Sequence, residues 1–325
     1  MRFTQEEKYE IIRLVEDSEL GVNRTLRELG ISKRTFYNWY GKYNEYGYDG
    51  LAPRNRRART QWNRIPDQIR KKVVEYALEQ PELSPRELAH SIVDDKGYFI
   101  SESSVYRILK SRGLITSPAY IVMKASNEFK DKTIKPNQMW QTDFTYFKII
   151  GWGWYYLSTV LDDYSRYIIH WELCSSMKVD DVTRSVDNAL RKTGLSKINA
   201  PKLLSDNGSC YIASDLENYI EEKGMLHVRG KPNHPQTQGK IERYHRSMKN
   251  VVKLENYYLP GDLEERLKEF VDYYNNHRYH ESLKNLTPAD VFFGRDQKKL
   301  EKRKLIKIKT MKLRRNQHQL QRLNL

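Results

Sequence analysis

Residues 139–173 read MWQTDFTYFKIIGWGWYYLSTVLDDYSRYIIHWEL, a run crowded with aromatic and β-branched side chains. Such residues fit a pleated, half-buried surface, so the run reads as strands. Gly151 and Gly153 mark a turn that folds it into a hairpin, and a third strand is expected from near Tyr164. Downstream the pattern alternates. A helix is expected over about 179–193, a short apolar strand at Lys202–Leu204, a helix over about 213–223 and a strand at 225–229. The loop 230–239, GKPNHPQTQG, precedes a long helix from near Gln238. A further helix over about 262–277 gathers Leu263, Leu267, Phe270, Val271 and Tyr274 on one side. Three strands followed by alternating helix and strand predict an α/β sheet of mixed strand direction.

The region before this sheet has a different period. Thr4 with Glu7 forms a capping box ahead of Ile11, Ile12, Leu14 and Val15. A second helix runs roughly from Val22 to Leu29 and stops at Gly30, and Ser32 caps a third. In that third helix Phe36, Trp39, Tyr40 and Tyr43 share one face, leaving Lys33, Arg34, Tyr37 and Asn38 near the start as the outward set. This is the helix-turn-helix arrangement, with side chains able to read base edges; an ordinary three-helix bundle is the alternative. Residues 66–113 repeat it. Ile69, Val73, Tyr76 and Ala77 form a stripe, and Ser84, Pro85 and Glu87 give a cap, a first-turn proline and a capping box. A helix from Ser101 turns Val105, Ile108 and Leu109 inward and Ser103, Ser104, Tyr106, Arg107 and Lys110 outward. The linker between the two units carries Arg54, Arg56, Arg57 and Arg59, an arm suited to a minor groove or a solvated connection.

Charge and composition narrow the classes of function. The chain has 325 residues and a net charge of +15. Residues 1–138 carry +6, residues 139–294 carry −1 and residues 295–325 carry +10, so a near-neutral middle is flanked by basic arms. That pattern suits a polyanion, of which nucleic acid is the commonest. An aromatic share of 12% argues against a disordered chain. No apolar run reaches the ~18 residues of a membrane helix, and the polar start MRFTQEEKYE has no signal-peptide hydrophobic region. The only cysteines, Cys174 and Cys210, are too few for a disulfide scaffold, and a reducing compartment fits.

Three acids stand out against this background. Asp143 lies within the aromatic strand, where a lone carboxylate is costly unless paired or holding a cation. Asp206 ends a short buried-type strand, where ligand sites gather in open α/β sheets. Glu242 falls in the first turns of the long helix, with His245 and Lys249 on a neighbouring face and Lys249 two turns further on. The intervening lengths are 62 and 35 residues. Three carboxylates from two strands and a helix suit Mg²⁺ or Mn²⁺, not Zn²⁺; ordinary surface charges are the other reading of Glu242 and Lys249. Asp162 and Asp163 read as turn or strand-end residues. Lys240 and His245 are candidate DNA contacts, and so are Gln236 and Gln238. His277 and His280 lack the partner Cys pair that a zinc site would need.

WQTDFTY around Asp143, LLSDNG around Asp206, and HPQTQGKIER with Lys249 after Glu242 resemble the catalytic core of retroviral-integrase-type transposases. The stretch YNNHRYHESLKNLTPADVFFG at 274–294 resembles the end of that core in bacterial insertion-sequence transposases, notably the insertion-sequence-three group. The resemblance spans nearly all of residues 1–294. It implies a ribonuclease-H-like α/β core preceded by all-α tandem helix-turn-helix domains. It further implies that Asp143, Asp206 and Glu242 hold two Mg²⁺ ions, which Mn²⁺ can replace, for DNA strand cleavage and transfer without a covalent enzyme intermediate. The expected partners are double-stranded DNA, as element ends and as target, and at least one further copy of the chain. A cytoplasmic, nucleoid-associated bacterial protein is expected, with no membrane partner. The expected divisions are 1–48 and 66–114 for the helix-turn-helix domains, 49–65 and 115–138 for linkers, 139–294 for the core and 295–325 for a basic tail. A non-catalytic DNA-binding descendant of a transposase and a structure-selective nuclease are the rival readings.

Overall fold

A computed structural model describes residues 3–18, 20–52, 61–115, 133–229 and 239–323. They form two compact units, Met1–Arg64 and Ile65–Leu325. In the first, helices α1 (Gln5–Glu16), α2 (Val22–Glu28) and α3 (Lys33–Tyr46) surround Ile11, Ile12, Val15, Leu26, Phe36 and Leu51. The Thr4–Glu7 capping box forms, and the Ser32 side chain accepts from the Thr35 N–H at the start of α3. Gly30, at φ +65°, makes the turn between α2 and α3. Ile11, Ile12 and Val15 fill the core, while Leu14 is exposed.

The second unit begins with α4 (Asp67–Glu79), α5 (Pro85–Lys96) and α6 (Glu102–Lys110), packed around Val73, Leu88, Ile92, Val105 and Ile108. Its sheet comprises β1 (Met139–Ile149), β2 (Gly153–Asp162), β3 (Ile168–Cys174), β4 (Lys202–Ser205) and β5 (Leu226–Arg229), in the order β3-β2-β1-β4-β5. β2 pairs antiparallel with both β1 and β3, while β4 pairs parallel with β1 and β5 with β4, which makes the sheet mixed as expected. Helices α7 (Val179–Thr193), α8 (Ser209–Ile212) and α9 (Ser214–Glu222) cover one face over Trp140, Val160, Ile169 and Leu203. Helices α10 (Gly239–Val252) and α11 (Pro260–Asn276) cover the other over Phe147, Ile149, Leu157 and Leu161. Alternating side chains therefore feed two cores, as a sheet buried on both faces requires.

The third strand starts at Ile168, later than expected, because Asp162 holds a turn. Its carboxylate accepts from the Ser165 N–H at 2.8 Å and the Ser165 hydroxyl at 2.6 Å, and Arg166 takes φ +64°. The helix expected over 213–223 is α9, and the short helix α8 precedes it, parted from it at Ala213.

After α12 (Pro288–Phe292), the basic tail forms one 28-residue helix, α13 (Asp296–Leu323), which docks on the second helix-turn-helix unit. Arg303 grips both oxygens of Asp94 on α5, each at 2.7 Å, and Lys299 lies 3.3 Å from the same carboxylate. The Phe99 N–H donates to Thr310 Oγ1 at 3.1 Å, and Arg314 donates to the Phe99 carbonyl at 2.8 Å. Tyr279, beyond α11, donates to Asp94 at 2.9 Å.

Two histidines make this junction acid-sensitive. Burial, reinforced by Arg303, pushes His90 down to about 4, and burial beside Arg278 and Arg166 pushes His280 down to about 3. Both rings are neutral in the folded chain, whereas an unfolded histidine takes a proton near pH 6.5. The folded-state values are depressed, so their contribution is complete above about pH 6.5 and is lost as pH falls towards 4 and then 3. The melting temperature is expected to fall between pH 7 and pH 5, with a shallower fall in His280→Gln. An identical slope in both proteins would exclude His280 as a source.

Candidate active site

Parallel pairing of β1 with β4 sets Gln141 beside Leu204. Two residues further along each strand stand Asp143 and Asp206, so the register brings these acids alongside each other where β4 ends. Burial pushes the Asp206 carboxyl above its ordinary range. A 2.8 Å hydrogen bond from the Gly208 N–H opposes that push, and the Asp143 charge adds to it. A carboxylate whose ionised form is opposed by burial and by a neighbouring carboxylate is relieved by a cation.

Helix α10 runs along β1 and is pinned to it at three points. The Ile241 N–H donates to Gln141 Oε1 at 3.1 Å. One turn later His245 Nδ1 stands 3.4 Å from Asp143 Oδ2, and Lys249 Nζ then lies 4.7 Å from the centre of the Tyr146 ring. Burial and Lys253 lower the Lys249 ammonium, while Asp143 raises it, which places this cation within the field of the first acid. Ile241, Tyr244, Met248 and Val252 are buried beneath the helix, and Glu242 emerges exposed from its first turn.

The pin at Ile241 depends on a buried relay. Asp163, read from the sequence as a structural acid, accepts from Gln141 Nε2 at 2.7 Å, from Thr133 Oγ1 at 2.6 Å and from Lys240 Nζ at 2.7 Å. Gln141 and Asp163 thus fix where α10 begins relative to β1. The sequence signal for this role was a polar Gln beside an aromatic strand and a carboxylate pair at a strand end, neither of which names a partner.

Two of the candidate DNA contacts are engaged with interior partners. His245 is 6% exposed and lies between Asp143 and Thr159, so its ring supports the first acid instead of reaching outward. Lys240 donates to both the carboxylate and the carbonyl of Asp163, which commits its ammonium to the interior relay. Lys33, Arg34, Tyr37 and Asn38 are all exposed on α3; on α6, Arg107 and Lys110 are exposed and Tyr106 half-buried. Arg54, Arg56, Arg57 and Arg59 lie outside the described residues, as do Gln236 and Gln238. Among the described residues, no group of three His, Cys, Asp or Glu is drawn close enough to hold a metal ion. Asp143 and Asp206 are neighbours, and Glu242 is not gathered onto them. The donor set still fits a hard cation. It consists of carboxylate oxygens without thiolates, and the paired Asp143 and Asp206 give it a charged centre.

Residues 134–235 match an integrase core domain family, and a second integrase core domain family matches residues 223–288. A helix-turn-helix domain family matches residues 7–59 and a homeodomain-like domain family residues 35–109. The integrase core matches thus lie behind the helix-turn-helix and homeodomain-like matches. Among curated proteins it is similar to insertion-sequence transposases. It is 28% identical over 160 residues to the putative transposase InsK for insertion sequence element IS150 of Escherichia coli (strain K12), covering 49% of this chain and 56% of that protein. It is 28% identical over 161 residues to the transposase for insertion sequence element IS629 of Shigella sonnei, covering 48% and 52% respectively. The chain therefore spans about half the length of these relatives. A solved structure of the HTLV-2 integrase catalytic core domain in complex with magnesium aligns with 49% of this chain and 98% of that one, at 17% identity and a TM-score of 0.39. Among the described residues, no helix is long and apolar enough to cross a membrane.

Proposed function

We propose that this chain is a DNA transposase that binds the ends of a mobile element and joins them to target DNA. The observation that carries this reading is the register of β1 and β4, which sets Asp143 beside Asp206 inside the stretch matching an integrase core. Asp143, Asp206 and Glu242 would hold Mg²⁺, as two ions, with Mn²⁺ able to substitute. Bound there, such ions would activate the attacking oxygen and stabilise the leaving one. His245 holds Asp143 in place from beneath. Lys249, beside that acid, offers its charge to a phosphate of the reacting strand. Glu242, exposed on the first turn of α10, is free to move onto the paired aspartates when DNA and metal arrive.

The exposed faces of α3, with Lys33, Arg34, Tyr37 and Asn38, and of α6, with Tyr106, Arg107 and Lys110, are the proposed DNA-reading surfaces. Arg54, Arg56, Arg57 and Arg59 would join them across a minor groove. Two such units on one chain give bipartite recognition of a long terminal repeat. Acting on two ends together requires at least a dimer. The setting is the cytoplasm of a bacterium, at its nucleoid.

A strand-transfer reaction tests the reading. Purified chain, the DNA flanking its own gene, a plasmid target and Mg²⁺ are expected to yield covalently joined product. Chelation with EDTA is expected to abolish joining while leaving end binding intact. Cut but unjoined DNA would instead indicate a nuclease.

A further inference from the structure

The aromatic face at the tip of the β1–β2 hairpin is largely open. On β1, Trp140 and Phe144 pack under the α7–α9 layer, but the next two residues on that face, Tyr146 and Lys148, lie beyond it. Across the pair, Tyr146 faces Tyr156 and Lys148 faces Trp154. Tyr146 is 50% exposed, Trp154 52% and the turn residue Trp152 57%. The Tyr146 and Trp154 rings meet edge to face at 5.4 Å. Lys249 from α10 and Lys253 just past its end stand 4.7 Å and 5.9 Å from the Tyr146 ring centre. Lys249, over the Tyr146 ring, also stands within the field of Asp143.

Exposed aromatic rings interleaved with cations, at the edge of a site for nucleic-acid chemistry, match what an unpaired strand needs. Bases stack on rings without regard to sequence, and the lysines meet the phosphates. Burying a second protein copy on this face would instead leave Lys148, Lys249 and Lys253 desolvated without acids to pair them. We propose that Tyr146 and Trp154 form a stacking platform for unpaired nucleotides of the DNA strand that leaves the catalytic acids, with Lys148, Lys249 and Lys253 contacting its phosphates. The platform would hold a frayed end open so that one strand stays at Asp143 and Asp206. This inference rests on the transposase reading and specifies how that site handles DNA.

The test compares the full-length chain with Tyr146→Ala/Trp154→Ala on two probes, the blunt flanking-DNA duplex and the same duplex with a short unpaired thymidine arm. Wild type is expected to bind the forked probe more tightly, and the preference is expected to fall about fivefold or more for each ring removed. Blunt-duplex binding should not change. Tyr146→Phe/Trp154→Phe, which keeps the rings, should retain the preference. Equal wild-type affinity for both probes overturns the platform while leaving the transposase reading intact. A preference that survives the alanine pair also overturns it. Loss of self-association in the alanine pair without loss of fork preference marks the face as a contact between copies and overturns it. Failure of wild type to bind either probe overturns the platform and the transposase reading together.

Discussion

Asp143→Asn and Asp206→Asn are each expected to abolish strand joining while DNA-end affinity stays within about twofold of wild type. The amide keeps the shape of each side chain and removes its charge. Register sets these two carboxylates side by side, so neither can replace the other as a cation ligand. An ion that stabilises both the attacking and the leaving oxygen supplies several kcal/mol of transition-state stabilisation, so losing it costs at least about a thousandfold in rate. End binding, on the proposed reading, falls to α3 and α6 and should not follow the loss. Joined product quantified beside a gel-shift titration separates the two effects. Joining at wild-type rates in either variant would remove that acid from the mechanism.

Arg303→Ala is expected to cost about 3–5 kcal/mol and to free the second helix-turn-helix unit from α13. The side chains of Arg303 and Asp94 are only 10% and 12% exposed, and the guanidinium binds both carboxylate oxygens. Truncating the arginine leaves a buried carboxylate with Lys299 and Tyr279 as its remaining partners. The Asp94 carboxyl is held below its ordinary range chiefly by Arg303 against the opposing pull of burial, so the loss is electrostatic as well as geometric. Removing both charges in Asp94→Ala/Arg303→Ala should cost less than the arginine change alone, because no unpaired ion remains. Amide-exchange protection along α5 and α6 measures the release. Unchanged protection in Arg303→Ala would show that the clamp does not fix the unit.

Much of this architecture was legible in the sequence because its signals are local. Gly151 and Gly153 gave away the hairpin, and the Thr4–Glu7 and Ser84–Glu87 boxes form as read. Helix α7 occupies Val179–Thr193, where the apolar period places it. The helical tail was legible only as a basic segment, because what docks it is polar and distant. Arg303 meets a residue 209 positions earlier, and such a clamp leaves no apolar period. The late start of β3 follows from the Asp162–Ser165 turn, which looks like strand continuation in an aromatic run. The inward place of His245 was hidden for a related reason. A helix lying flat along β1 buries Tyr244 and His245 together, a wider face than Ile241, Tyr244, Met248 and Val252 alone suggest. The acids were legible as candidates by residue type and by resemblance. Their adjacency was not, since it depends on which strands pair and in which register.

Glu242 decides the account, because it alone must leave its exposed position to complete the metal site. The measurement is strand transfer by wild type and Glu242→Gln in parallel, with flanking DNA as donor, a plasmid target and Mg²⁺. Covalently joined product from wild type only, with end binding equal in both, is the predicted result. Joined product at equal rates from both proteins would contradict it and leave Asp143 and Asp206 to do the chemistry without the helix.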